Sequence, residues 1–206
     1  MAVSFASGAV PFSGLAARLV AGVDLRDRGS GTVSGSGLYD VAGFGPLALA
    51  GSLDVAKGAL GPWLAGPRRP VLRALAAGAG VAGHNWSPLL GWAGGRGISP
   101  GLGATLAAAP EGAALLVGGL AGGRLLHQTG FGSLVALVGL VPLLIHRRGW
   151  RGGLVAICIS GPMLAKRLVG NAIPRGDHPA RVLVARLLFD RDPVAGAGDA
   201  PQSRAA

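Results

Sequence analysis

The sequence predicts an all-α fold, a polytopic membrane helix bundle of about six to seven transmembrane helices that includes a short helical hairpin. Three observations carry this. Half of the 206 residues are hydrophobic and 14% are charged, against about 25% charged in soluble domains; mean hydropathy is +0.51. Long apolar runs recur, separated by short segments that gather the arginines. The runs exceed the ~10 residues of a barrel strand and lack strict alternation, so helix is the spanning element.

The first apolar stretch, Met1 to Val23, is interrupted only by Arg18. It lacks the basic n-region of a secretory signal and reads as a retained span with Arg18 snorkelling or facing the bundle. Asp24 to Gly43 form a polar loop rich in Gly and Ser. A second span runs about Phe44 to Ala65 and contains Asp54 and Lys57, and Arg68-Arg69-Pro70 then breaks the chain. The third span, about Val71 to Trp92, carries His84 and Asn85, and Ala93 to Gly97 make a short loop. The apolar stretch Ile98 to Leu126 exceeds the ~20 residues of a simple span. Because Pro110-Glu111-Gly112 interrupts it, two short helices in a hairpin are expected, with one long tilted helix as the competitor.

After polar His127 to Gly130, Phe131 to Ile145 are apolar, and His146, Arg147, Arg148 and Arg151 make a basic turn. A last run, about Gly152 to Ala165, ends at Lys166-Arg167. Residues 1–178 read as the transmembrane domain and 179–206 as a cytoplasmic tail. In that tail Pro179 to Phe189 suit a short amphipathic surface helix, and the remainder after Asp190 reads as disordered. Abundant Gly and Ala allow close helix contact.

The formal charge of +10 comes without a basic helix or an aromatic-basic patch, which excludes nucleic acid as a partner. The arginines instead set orientation and face anionic lipid headgroups. In the hairpin reading, one side carries Arg26, Arg28, Arg96, Arg124, Lys166, Arg167 and the tail. The other carries Arg68, Arg69, Arg73, Arg147, Arg148 and Arg151, so the tail tips the first side towards the cytoplasm. Cys158 is the single cysteine, which excludes an intramolecular disulfide and a Cys-rich zinc site.

Asp24-Leu25-Arg26-Asp27-Arg28-Gly29-Ser30-Gly31-Thr32 is the most informative segment. Consecutive small residues expose backbone N–H groups and flanking arginines supply charge, so the segment suits a phosphate cradle or a flexible connector. It matches neither a Walker A pattern nor a GxGxxG fingerprint. Asp54 and Lys57 share one face of a spanning helix, where ionisable groups are costly; they read as site residues or as a mutual ion pair orienting helices. His84 either binds a substrate phosphate or hydrogen-bonds a neighbouring helix. A His-x-x-x-x-Asp catalytic motif is absent, since His84, His127, His146 and His178 are followed five residues later by Leu89, Gly132, Arg151 and Leu183.

On these residues the chain resembles the bacterial acyl-phosphate:glycerol-3-phosphate acyltransferases, the PlsY family. The likeness begins at Gly8-Ala9-Val10-Pro11-Phe12 and continues through Asp24 to Gly31 and Leu53-Asp54-Val55-Ala56-Lys57-Gly58-Ala59. It resumes at Ala82 to Pro88 and at Gly94-Gly95-Arg96-Gly97-Ile98. Beyond Gly103 only the hydropathy profile matches. The resemblance implies a multi-pass enzyme of the bacterial inner membrane that transfers a fatty acyl group from acyl phosphate to glycerol 3-phosphate, giving lysophosphatidic acid. It implies no cofactor, no metal, and membrane lipid as the surrounding partner. Ser30 and Arg96 are the implied catalytic residues. Arg26, Arg28, Gly29, Gly31, Thr32, Asp54, Lys57, His84, Gly94, Gly95 and Gly97 are the implied substrate-binding residues.

The departures from the family pattern are specific. Thr32 stands where the first motif has Asn, Ser34-Gly35-Ser36-Gly37 replaces Gly-Ala-Thr-Asn, and Asp40 takes the place of an anion-binding Arg. Arg96 replaces the Lys of Gly-Gly-Lys-Gly. In the third motif, His-x-x-Asn-x-x-Arg-Leu, Gly161 and Leu164 replace His and Asn, while Arg167 and Leu168 are kept; an alternative register on His178 fits less well. Two other readings therefore stay open: a catalytically impaired paralogue that binds lipid or partners, and a small transporter whose Asp54-Lys57 pair lines a path.

Overall fold

The structure, a computed structural model, describes residues 1–28, 31–171 and 179–190. The expectations for Gly29, Ser30, His178 and the tail after Asp190 lie outside the described residues. Every regular element described is helical: α1 (Ala2–Ala9), α2 (Phe12–Ala21), α3 (Gly35–Ala42), α4 (Phe44–Ala65), α5 (Pro70–Asn85), α6 (Ile98–Ala108), α7 (Pro110–Leu125), α8 (Thr129–Val169) and α9 (Pro179–Phe189). Two 3₁₀ turns, Leu25–Asp27 and Pro88–Leu90, stiffen the connections.

The first apolar stretch is two helices rather than one. Proline has no N–H and disfavours helical backbone in the residue before it. Val10, before Pro11, is accordingly extended at φ −65°, ψ 119°. The segment Asp24 to Gly43 is not wholly loop either, because α3 forms within it. Ser34 caps that helix by accepting from the Gly37 N–H at 3.2 Å. Leu38, fully buried, fixes it to a small apolar cluster with Ala17, Leu25, Val33, Ala50 and Leu90. The third span stops at Asn85, short of Trp92. The break at Ala109 and Pro110 makes two helices of the Ile98 to Leu126 stretch, as the hairpin reading expects. Gly149, at φ 62° and ψ −151°, divides α8 into two arms at the basic turn.

Small residues set how close these helices come. A Cβ at Gly78 of α5 would lie 2.6 Å from the Cys158 carbonyl oxygen of α8, and one at Gly103 of α6 would overlap the Val55 backbone of α4. Around α5 the main core gathers Ala74, Ala77, Val81, Ala104, Leu137, Leu140, Leu144, Ile159 and Met163. Large apolar side chains face outwards, among them Leu19, Leu49, Phe44 and Leu125, the last 80% exposed. Such a surface is stable against lipid tails and costly in water. By length and hydropathy, two described stretches suffice to cross a membrane, Ala2–Ala21 and Thr129–Val169.

Candidate functional site

The polar connections at one end of the bundle enclose a cavity of about 600 Å³. Thr32, Ser34, Gly35, Ser36, Asp54, His84, Arg96, Gly97, Ile98, Ser99 and Asp190 are among its lining residues. Two helix N-termini open onto it, that of α3 at Ser34 to Ser36 and that of α6 at Gly97 to Ser99. The first N–H groups of a helix lack intrahelical partners and carry partial positive charge, which suits an anion. Gly97 holds the left-handed conformation, φ 80°, that lets the chain turn into α6.

Arg96 places its guanidinium in the same space with only 15% of the side chain exposed. Its Nη1 donates to Asp190 Oδ1, and the Arg167 Nε lies 3.4 Å from that oxygen. The loop carrying Arg96 is held from several directions. Trp92 N–H donates to the Ser87 carbonyl at 2.8 Å, Lys166 Nζ to the Trp92 carbonyl at 3.2 Å, and Gly95 N–H to the His84 carbonyl at 3.2 Å. Asn171 Nδ2 donates to the carbonyls of Gly31 and Gly94 at 3.0 and 3.2 Å, and approaches Thr32 Oγ1 at 3.4 Å. One amide thus ties the first polar segment to the second.

Asp54 and Lys57 form an ion pair of 2.7 Å with 5% and 4% of their side chains exposed. Lys57 Nζ also donates to the Val10 carbonyl at 2.5 Å, the point where α1 gives way to α2. Ser13 Oγ donates to Asp54 Oδ2 at 3.4 Å, and His84 Nδ1 lies 4.0 Å from Asp54 Oδ1. The ion pair that the sequence allowed is formed; of its two members Asp54 lines the cavity and Lys57 does not.

Among the other expected site residues, Arg26 turns its guanidinium to Asp24, with Nη2 at 2.7 Å from Oδ2, and approaches the Leu90 carbonyl at 3.4 Å. The Arg26 side-chain and backbone hydrogen bonds to Asp24, with a further one from Arg18, hold the Asp24 carboxyl far below the usual carboxylate range against the opposing pull of burial. Arg28 is exposed, and Gly31 turns the chain at φ 64°. Gly94 and Gly95 pack too tightly for any side chain, Gly94 against the backbone of His84 and Asn85 and Gly95 against the His84 ring. Asp40 is exposed on α3 and is not among the residues lining the cavity. Leu164 packs on the main core and Gly161 is exposed. Among the described residues no cluster of His, Cys, Asp or Glu is suited to hold a metal.

Sequence reasoning missed Ser34, Ser36, Ser99, Asn171 and Asp190. Ser34 had a signal, a capping residue before a helix. Asn171 and Asp190 reach the site only through tertiary contact. Because the Ser34 side chain satisfies one orphan donor of α3, Ser34→Ala is expected to cost about 1 kcal/mol. In detergent this should lower the thermal unfolding midpoint by about 2–4 °C; an unchanged midpoint would show that the cap is dispensable.

Comparison with known proteins places this architecture. The family model described as glycerol-3-phosphate acyltransferase matches residues 1–169. The glycerol-3-phosphate acyltransferase of Synechococcus sp. (strain CC9902) is 33% identical over 186 residues, covering 85% of this chain and 92% of that protein. That of Parasynechococcus marenigrum (strain WH8102) is 34% identical over 186 residues, covering 85% and 87%. The crystal structure of PlsY, an integral membrane glycerol 3-phosphate acyltransferase, in its glycerol 3-phosphate form superposes with a TM-score of 0.71 at 23% identity, over 86% of this chain and 94% of that one. The chain belongs to the glycerol-3-phosphate acyltransferase family.

Proposed function

We propose that the chain transfers a fatty acyl group from acyl phosphate to the 1-hydroxyl of glycerol 3-phosphate, with the acceptor's phosphate held in the cavity around Arg96. The observation that carries the reading is the convergence of Arg96 with the N-termini of α3 and α6 on one cavity of about 600 Å³. A guanidinium and two sets of free N–H groups suit a phosphate dianion.

The chemistry asks little of a protein base, because acyl phosphate is already activated. The acceptor hydroxyl oxygen bonds to the acyl carbonyl carbon while the bond from that carbon to the phosphate oxygen breaks. The released phosphate takes the hydroxyl proton. The protein's part is to hold both substrates in register and to donate hydrogen bonds to the developing oxyanion. Ser34, Ser36 and Ser99 offer hydroxyls at the cavity wall. For the acyl chain, an apolar groove of about 400 Å³ lies between α2 and α4, lined by Phe12, Leu15, Leu19, Leu49 and Leu53. The Asp54 side chain borders the cavity from this same α4.

We further infer a multi-pass protein of the bacterial inner membrane with the Arg96 end in the cytoplasm, on the strength of the basic tail. The test is purified protein in detergent with palmitoyl phosphate and labelled glycerol 3-phosphate. Labelled lysophosphatidic acid is the expected product. Its absence under conditions in which a relative forms it would overturn the reading, and product formed only with acyl-coenzyme A would overturn the choice of donor.

A further inference from the structure

A second cavity lies away from the acyl-transfer site, where the turn between α4 and α5, the break between α6 and α7 and the kink of α8 meet. It measures about 330 Å³ and is lined by Pro67, Pro70, Arg73, Ala108, Arg148 and Arg151, with Gly152 and Val155. Three guanidinium-bearing residues from two helices therefore share one concavity.

Two of them are fixed by the end of α6. Breaking the chain at Ala109 leaves the last carbonyls of α6 without intrahelical donors. Arg73 Nη2 donates to the Ala107 carbonyl and Arg148 Nη1 to the Ala108 carbonyl, the latter at 2.9 Å. Arg148 also pairs with Glu111, its Nη2 lying 2.8 Å from Oε2. Glu111 is the only acidic residue in the segments 66–73, 107–111 and 146–152, and they also contain Arg68, Arg69 and Arg147. The carboxylate cancels one charge of several. Among the described residues the Arg73 Nε, which is enclosed, finds no hydrogen-bond partner, and buried donors are rarely left so.

The surroundings point to the ligand. Trp63 and Trp150 stand 69% and 64% exposed near this end, as aromatic side chains do at the level of lipid headgroups. The rest of the lining is apolar, from Pro67, Pro70, Ala108 and Val155. Arginine forks match phosphate oxygens, and the apolar walls suit the glycerol and first methylenes of a lipid.

We propose that the cavity of Arg73, Arg148 and Arg151 binds the phosphate of an anionic phospholipid headgroup, in the leaflet opposite the catalytic cavity. Neither the acyl-transfer reaction nor its substrates are involved, so the two proposals stand or fall separately.

The experiment is thermal unfolding of the full chain in a neutral detergent with three probes: dioctanoyl phosphatidylglycerol, dioctanoyl phosphatidylcholine and inorganic phosphate. Phosphatidylglycerol is expected to raise the unfolding midpoint and phosphatidylcholine not to do so. Arg73→Gln with Arg151→Gln should weaken the phosphatidylglycerol effect about tenfold in apparent affinity, whereas Arg96→Ala, at the catalytic cavity, should keep it. Arg151→Gln alone, at an exposed position, serves if the double variant fails to fold, and should lose part of the effect while acyl transfer continues unchanged. Equal shifts with both lipids, or an undiminished shift in Arg151→Gln, would overturn the site. A full shift with inorganic phosphate alone would overturn the lipid as its source.

Discussion

Replacing Arg96 by alanine is expected to lower kcat/KM for glycerol 3-phosphate by about two to three orders of magnitude, equivalent to roughly 3–4 kcal/mol of lost transition-state stabilisation. The reason is position. Among the described residues lining the cavity, Arg96 brings a full positive charge to the wall beside the N-terminus of α6, and its side chain is largely withdrawn from water. Charge-assisted hydrogen bonds are about twice as strong as neutral ones, and more so where solvent is excluded. Arg96→Lys should recover part of the loss, because an ammonium supplies the charge without the planar fork. The measurement is steady-state acyl transfer with both substrates varied. A change below about threefold in Arg96→Ala would remove this side chain from the reaction.

The substitutions that separate this chain from the family pattern look different once placed in three dimensions. Charge reversal at Asp40 suggests repulsion of a phosphate, yet the side chain is exposed on α3 and does not line the cavity. Gly161 and Leu164 leave the third motif without its His and Asn. Asn171, three residues after Leu168, supplies an amide that ties Gly31 to Gly94. Arg167, which the motif keeps, donates to the carbonyls of Gly130 and Leu187 and to Ser133 Oγ, so it fastens α8 to its neighbours.

How far the fold was legible depends on punctuation. Phe44 and Ala65 bound α4 because Gly43 and Gly66 sit at its ends with φ of 78° and 71°, and glycine at such positions is a readable stop. The division of α8 was legible in the basic turn that contains Gly149. The break at Val10 was not read, since hydropathy runs straight through it and only Pro11 marks it. Helix α3 was hidden because Gly35-Ser36-Gly37 has low helix propensity; tertiary burial of Leu38 decides its conformation. At the site, motif residues Thr32, Asp54, His84, Arg96 and Gly97 do converge on one cavity. Arg26 could not be placed from sequence, because its neighbour Asp24 competes for it and only geometry decides that contest.

Asp190 leads to the second large expectation: Asp190→Asn should lower the KM for glycerol 3-phosphate by about ten- to a hundredfold. The family match ends at residue 169, whereas α9 continues to Phe189 and delivers Asp190 to the cavity. The helix is docked firmly, with Arg186 fully buried and its Nη1 donating to the Val169 carbonyl at 2.9 Å. So a tail that reads as a separate cytoplasmic segment places a carboxylate on the very guanidinium assigned to the substrate phosphate. An incoming dianion must displace that carboxylate, and a charge-assisted hydrogen bond contributes about 1.5–3 kcal/mol, which corresponds to the stated range. Asparagine keeps the shape and removes the competing charge. Arg167 loses an ionic partner in the variant but retains Gly130, Leu187 and Ser133, so the fold should persist. If Asp190 instead orients Arg96 for the substrate, the sign reverses: KM rises in Asp190→Asn. Measuring KM for glycerol 3-phosphate in the two proteins at saturating acyl phosphate separates a competitor from a positioning residue.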